Sequence, residues 1–237
     1  MYSVRIKDSW EDITVGDYIE LQDIKEESDV LYILTSLYTL NGISKQDLDD
    51  IVSSFAFIND KPSIRKCDFL IVGGKVYDVA ASIDKMSASQ FIDLQNYLND
   101  FASNLDKIVA ICLVPEKGEY NVGYNVMKLA DEVRENMCIL DALGVYDEVN
   151  KTVSLLTKTF SGLFAESDEE EEPEEKKQDD FNKRWGWIYL AENVSKVKGC
   201  AIDLIFCLNV LEFLNYCAYI KEKSDFEKSR IEEYKLT

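Results

Sequence analysis

The stretch DFLIVGGKVYDV, residues 68–79, decides the fold class. Two runs rich in β-branched and aromatic residues flank the pair Gly73-Gly74, and glycines readily adopt the positive φ angles that a tight primed turn needs. The segment therefore predicts a β-hairpin. Because two strands alone are only marginally stable in water, we expect the hairpin to pack on helices.

Helical patterns lie on both sides of the hairpin. Thr14 and Ser44 are typical N-caps, and Ser87 with Gln90 forms a capping-box pattern. Apolar residues recur at helical spacing after each cap. Further helices are predicted over 30–40 and 126–133, and a long helix or a helix pair over 138–160. An apolar run spans 105–114 and ends at Pro115, and a polar loop follows over 116–123. The fold class is thus predicted as α+β and mainly helical.

A dense acidic run interrupts the chain at residues 166–180, which hold ten acidic residues and two lysines. Like charges at this density repel one another and cannot bury apolar surface, so the run predicts an exposed linker. The predicted domains are a mainly helical body with one β-hairpin (1–165), the acidic linker (166–180) and a small Trp-rich helical module (181–237). In this module, Asn209 and Glu212 form a capping box that opens a long terminal helix.

Composition limits the classes of partner. The 237 residues include 45 acidic and 26 basic ones, a formal net charge of −19, and 46% are hydrophobic. A surface this negative repels nucleic-acid phosphates and anionic membranes, whereas the apolar content suffices for a core. The apolar segment Cys200–Ile220 carries Asp203 and Glu212, whose charges favour a buried helix over a membrane span. No signal peptide is predicted, and the six cysteines lack any Cys-x-x-Cys pair, which indicates reduced core thiols in the cytoplasm.

The residues of the common catalytic mechanisms are missing. The chain has no histidine, which removes the usual general base, the Ser-His and Cys-His pairs and histidine-ligated zinc. Gly73-Gly74-Lys75 lacks the spacing of a phosphate loop, and Val76 replaces its hydroxyl residue. We expect no enzyme, no catalytic residue, no cofactor and no metal site. A carboxylate-based metal-dependent hydrolase stays open as an alternative, because acidic residues are abundant.

Aromatic residues concentrate in the carboxy-terminal module. Large aromatic residues dominate protein interfaces, but so short a module also needs them for its own core, and both interpretations stay open. The acidic run is a second candidate contact segment. The predicted interaction residues are Trp185, Trp187, Tyr189, Phe213, Tyr216, Glu169, Glu170, Glu171 and Glu172.

Several segments together resemble a known family. They are 10–18 (WEDITVGDY), 83–91 (IDKMSASQF), the run 108–124, 185–187 (WGW) and 208–214 (LNVLEFL). With the order of body, acidic spacer and Trp-rich unit, they resemble tail assembly chaperone-like proteins of bacteriophages, including crAss-like phages of Bacteroides. The resemblance supplies no catalytic residues.

The resemblance implies a non-enzymatic structural or morphogenesis protein of the phage tail or head-to-tail (neck) region. Such a protein acts through protein–protein contacts as a ring or tail component of the virion, with other tail or neck proteins and its own copies as partners. One alternative is a transient tail assembly chaperone in the cytoplasm of the infected host. Another, suggested by the net charge, is an acidic host-takeover protein or nucleic-acid mimic that binds a basic host protein. Direct nucleic-acid or membrane binding is not expected.

Overall fold

The computed structural model describes residues 6–23, 27–35, 44–164 and 173–235. It confirms the predicted class, because the described chain is mainly helical with one small antiparallel sheet. Two 3₁₀ turns, Phe55–Asn59 and Leu98–Asp100, complete the regular structure. The helices are α1 (Val15–Gln22), α2 (Glu27–Thr35), α3 (Lys45–Ser54), α4 (Ala88–Leu94), α5 (Phe101–Cys112), α6 (Val126–Asn136), α7 (Ile139–Thr159), α8 (Ser161–Phe164), α9 (Pro173–Lys198), α10 (Ile202–Phe206) and α11 (Val210–Lys235). The strands are β1 (Phe69–Val72), β2 (Lys75–Val79) and β3 (Leu113–Pro115).

The chain forms two compact units, each made of two separate stretches of sequence. The first unit comprises 1–81 and 94–149, and the second comprises 82–93 and 150–237. Residues 166–172 of the predicted linker lie outside the described residues, and the domain division at 166–180 stays a prediction. Residues 173–180 differ from the expected loop because they form the first turns of α9. Pro173 at the first helical position and the Glu and Lys residues after it have a backbone preference for helix.

The predicted hairpin is present in the first unit. Gly73 and Gly74 have φ angles of +56° and +75°, as a tight primed turn requires. A third strand, β3, pairs antiparallel with β2 and places Leu113 opposite Val79. The apolar run over 105–114 is divided between two elements, because α5 ends at Cys112 and the next three residues form β3 of the sheet.

The predicted N-cap of α1 is confirmed. The Thr14 hydroxyl accepts a hydrogen bond from Asp17 N at 3.2 Å, and the Asp17 carboxylate accepts one from Thr14 N at 2.9 Å. The same region joins the beginnings of α1 and α7, because Ile139 N donates to the Ile13 carbonyl at 2.9 Å. The Ser44 hydroxyl likewise caps α3 by accepting a hydrogen bond from Asp47 N at 3.1 Å.

The second unit contains α8, α9, α10 and α11 together with most of α4. Asn209 precedes α11, and its Oδ1 accepts from Leu211 N at 2.9 Å while its amide donates to the Ile83 carbonyl at 2.8 Å. The predicted capping role of Glu212 is wrong, because its carboxylate binds Lys198 Nζ at 2.5 Å.

The apolar segment 200–220 is not one continuous helix. A break at residues 207–209 separates α10 from α11, and the Asn209 cap lies at this break. Among the described helices, none combines the length and apolar character that crossing a bilayer requires.

Two helical glycines, Gly144 and Gly186, provide a test of how tightly α7 and α9 are packed. A β-carbon on Gly144, inside α7, would overlap the backbone oxygen of Arg65, whereas a β-carbon on Gly186, inside α9, would meet no atom within 4 Å. We expect Gly144→Ala to lower the free energy of unfolding by about 3 kcal/mol or more through overpacking. Gly186→Ala should raise it by about 0.5–1 kcal/mol, because alanine is the better helix former. Urea denaturation measures both, and equal effects of the two substitutions would contradict the packing at Gly144.

Candidate functional site

The inner side of α9 is anchored by a cluster of aromatic rings. The Trp187 ring lies 5.7 Å from the Phe91 ring in an edge-to-face arrangement, and 6.3 Å from the rings of both Phe164 and Phe213. Phe91 and Phe213 have no exposed surface. Edge-to-face pairs add about 0.5–1.5 kcal/mol each to the effect of area burial. The cluster therefore fixes which side of α9 faces the interior of the second unit.

The opposite side of α9 presents large apolar side chains to solvent. Trp185, Ile188 and Tyr189 are 51%, 46% and 51% exposed. Their spacing of three and four residues places them side by side on one stripe of the helix. The stripe continues into charged residues, where Glu192 and Lys196 form an ion pair at 2.7 Å. We call the three residues Trp185, Ile188 and Tyr189 the α9 outer face.

Polar contacts hold the end of α9 against α11. Lys198 Nζ binds the Glu212 carboxylate at 2.5 Å and also lies over the Tyr216 ring, 4.7 Å from its centre. The hydrogen bond to Glu212 raises the pKa of Lys198, which keeps the lysine charged. Gly199, with a φ angle of +66°, then ends the helix in a conformation that few other residues adopt readily.

The structure sorts the predicted interaction residues into two groups. Trp187 and Phe213 belong to the ring cluster, and Tyr216 is half-buried beneath Lys198. Trp185 and Tyr189 are exposed on the α9 outer face. Glu169, Glu170, Glu171 and Glu172 lie outside the described residues.

Sequence reasoning missed Ile188, although one signal could have found it. Ile188 lies three residues after Trp185 and one before Tyr189, so a continuous helix over this segment places all three on one stripe.

The thiol groups of the core are in unreactive surroundings. Burial raises the pKa of Cys112 to about 12 and that of Cys217 to about 12, so both stay protonated near neutral pH. Cys67 and Cys207 are exposed, which corrects the expectation that the cysteines are core residues. Among the residues that the structure describes, no group of three His, Cys, Asp or Glu side chains converges so as to hold a metal ion.

Comparisons with known proteins supply no family for this chain. No family model matches it, and neither the curated proteins nor the solved structures give a significant match.

Substitutions on the two sides of α9 should differ in their effect on stability. Trp187→Ala removes the central ring of the cluster and should lower the free energy of unfolding by about 3–5 kcal/mol. Trp185→Ala removes a ring that is half exposed, and its effect should stay within about 1 kcal/mol. Thermal or urea denaturation of the two variants measures the difference. A loss at Trp185 as large as that at Trp187 would contradict the orientation of α9.

Thiol labelling provides a second test. The thiolate is the reactive form, and a reagent must also reach the sulfur atom. Cys112 and Cys217 are buried and have pKa values of about 12. Cys67 and Cys207 are exposed, so a reagent reaches both, although desolvation also raises the pKa of Cys67. At pH 8 we expect an aromatic disulfide reagent to modify Cys67 and Cys207 in the folded protein, and the two buried cysteines only after unfolding. Peptide mass mapping identifies the modified sites, and rapid modification of Cys112 in the folded protein would contradict its burial.

Proposed function

We propose that this chain is a non-enzymatic component of the bacteriophage tail or head-to-tail region, which acts through protein–protein contacts made by the α9 outer face. Its partners are other tail or neck proteins and further copies of the chain. The observation that carries the contact role is the exposed stripe of Trp185, Ile188 and Tyr189.

The composition of this stripe supports a contact role. Tryptophan and tyrosine are enriched among the interface residues that contribute most to binding, because they bury large areas with few rotatable bonds. All three side chains lie on one side of a helix whose other side carries Trp187 of the ring cluster, and about half of the surface of each is exposed. Burial against a partner would remove this apolar surface from water, which is favourable by roughly 25 cal/mol per Å².

The assignment to phage assembly rests on the sequence resemblance. The segments that carry it include 185–187, which lies in α9, and 208–214, which contains the Asn209 cap and the start of α11. The resemblance therefore includes both Trp185 of the outer face and Trp187 of the ring cluster. A helix that is anchored by Trp187 and exposes Trp185 is suited to binding another protein during assembly.

Quantitative mass spectrometry of purified virions tests the proposal. A fixed whole-number ratio of this chain to the portal protein is expected of a ring or tail component. Presence in infected cells, absence from virions and binding to a tail protein would instead support the transient chaperone. Absence from virions together with no binding to any tail or neck protein would overturn both forms of the proposal.

Substitutions on the α9 outer face test whether this surface binds the tail or neck partner. We expect the double variant Trp185→Ala/Ile188→Ala to fold normally and to bind its tail or neck partner at least about 30-fold more weakly, as loss of a residue worth 2 kcal/mol implies. Phe226→Ala is the matched control, because Phe226 is a 61% exposed aromatic residue on α11. Affinity measured by calorimetry or biolayer interferometry should change for the double variant and not for the control. Equal affinity of the two variants would remove the outer face as the contact surface.

A further inference from the structure

The first unit contains an open cleft of about 180 Å³ between the hairpin and the beginning of α6. Its lining residues come from β2, from the loop before α6 and from the first turns of α6. They are Lys75, Tyr77, Gly123, Tyr124, Asn125, Lys128, Leu129 and Glu132. The cleft is unrelated to the α9 outer face, which lies in the other unit.

Tyr77 brings an unused hydrogen-bond donor to the cleft. Its side chain is only 4% exposed, and within the described part of the chain no hydrogen bond is made by its hydroxyl. No fully buried side-chain polar atom of the described residues lacks a partner, so the Tyr77 hydroxyl reaches solvent, and the cleft provides the opening. The neighbouring Tyr124 differs, because its hydroxyl donates to the Leu113 carbonyl at 2.9 Å.

Lys75 and Lys128 bring positive charge to the same cleft. Within the described ranges, neither ammonium group has a carboxylate within 4.0 Å. Lys45, Lys61, Lys117 and Lys158 also lack an ion pair in the described ranges, so what distinguishes Lys75 and Lys128 is that both line one cleft.

The beginning of α6 adds to this positive character. Asn125 caps the helix, with its Oδ1 accepting from Lys128 N at 3.1 Å, and the remaining free N–H groups of the first turn carry partial positive charge. Glu132 is the one acidic residue in the lining. Its carboxylate lies against the hairpin turn, where Oε2 is 2.6 Å from the position of a β-carbon on Gly73. Burial and then the nearby Glu132 charge raise the pKa of Tyr77, so its hydroxyl keeps its proton as a donor. The lining therefore carries two positive side chains and one negative one, together with the positive end of α6.

We propose that this cleft binds a small oxyanion, namely a carboxylate or phosphate group. The Tyr77 hydroxyl donates a hydrogen bond to one oxygen, and Lys75 and Lys128 supply the compensating charge. The volume sets the size of the ligand, because sites for drug-sized molecules and cofactors occupy about 300–1,000 Å³. A single acidic group fits, either as a free ion or as the side chain of an acidic peptide.

An NMR titration of the full chain tests the proposal and separates the two sources. Inorganic phosphate, acetate and a blocked peptide with one glutamate are each added while backbone amide shifts are followed. Saturable shifts confined to 75–77 and 123–129 with phosphate or acetate would support a free ion, and the same shifts only with the peptide would support an acidic side chain. The absence of saturable shifts there with all three probes would overturn the proposal.

Substitutions inside and outside the cleft distinguish binding in the cleft from general attraction of an anion to positive charge. We expect Lys75→Ala/Lys128→Ala to weaken binding at least tenfold and Tyr77→Phe, which keeps the ring, to weaken it about fivefold. Lys45→Ala/Lys158→Ala removes the same charge from exposed positions outside the cleft lining and should leave binding within twofold. Equal weakening by both double variants would overturn the proposal, because binding would then depend only on net charge.

Discussion

The placement of the Trp187 ring among Phe91, Phe164 and Phe213 is the constraint on which the candidate interface depends. Successive residues of an α-helix are rotated by about 100°, so positions two before and two after an inward residue point to the opposite side. Trp185 and Tyr189 occupy those two positions. With Trp187 held in the ring cluster, Trp185 and Tyr189 face solvent. An apolar residue at 188 then completes the exposed stripe.

If the stripe is a contact surface as proposed, the charge of the chain would influence which partners it can bind. A net charge of −19 opposes close approach by unrelated acidic proteins and by nucleic acid, whereas the three residues of the stripe carry no charge. A partner can therefore gain from apolar burial at the outer face while charge elsewhere disfavours other encounters. The pair Glu192–Lys196 at the end of the stripe provides the polar surroundings that commonly border such contacts.

Local rules predicted the parts of the fold that depend on neighbouring residues. Thr14 and Ser44 cap their helices, and Gly73-Gly74 forms the hairpin turn, because each depends on chemistry within a few positions. Parts that depend on distant residues were not predictable in this way. The strand β3 forms because Leu113 and Val114 pair with β2, more than thirty residues earlier in the chain. Glu212 pairs with Lys198 of another helix instead of capping its own helix. The cleft at Tyr77 likewise needs α6, about fifty residues further along the chain.

The candidate site was predictable in composition but not in arrangement. The sequence singled out Trp185, Trp187 and Tyr189 together, and only the helix register separates the core residue from the two exposed ones. The most direct test of the contact role is photo-cross-linking in infected cells, with a benzophenone amino acid at position 185 and, separately, at the exposed position 223. We expect an adduct to a tail or neck protein from position 185 and none from position 223. No adduct from position 185, or the same adducts from both positions, would contradict the account.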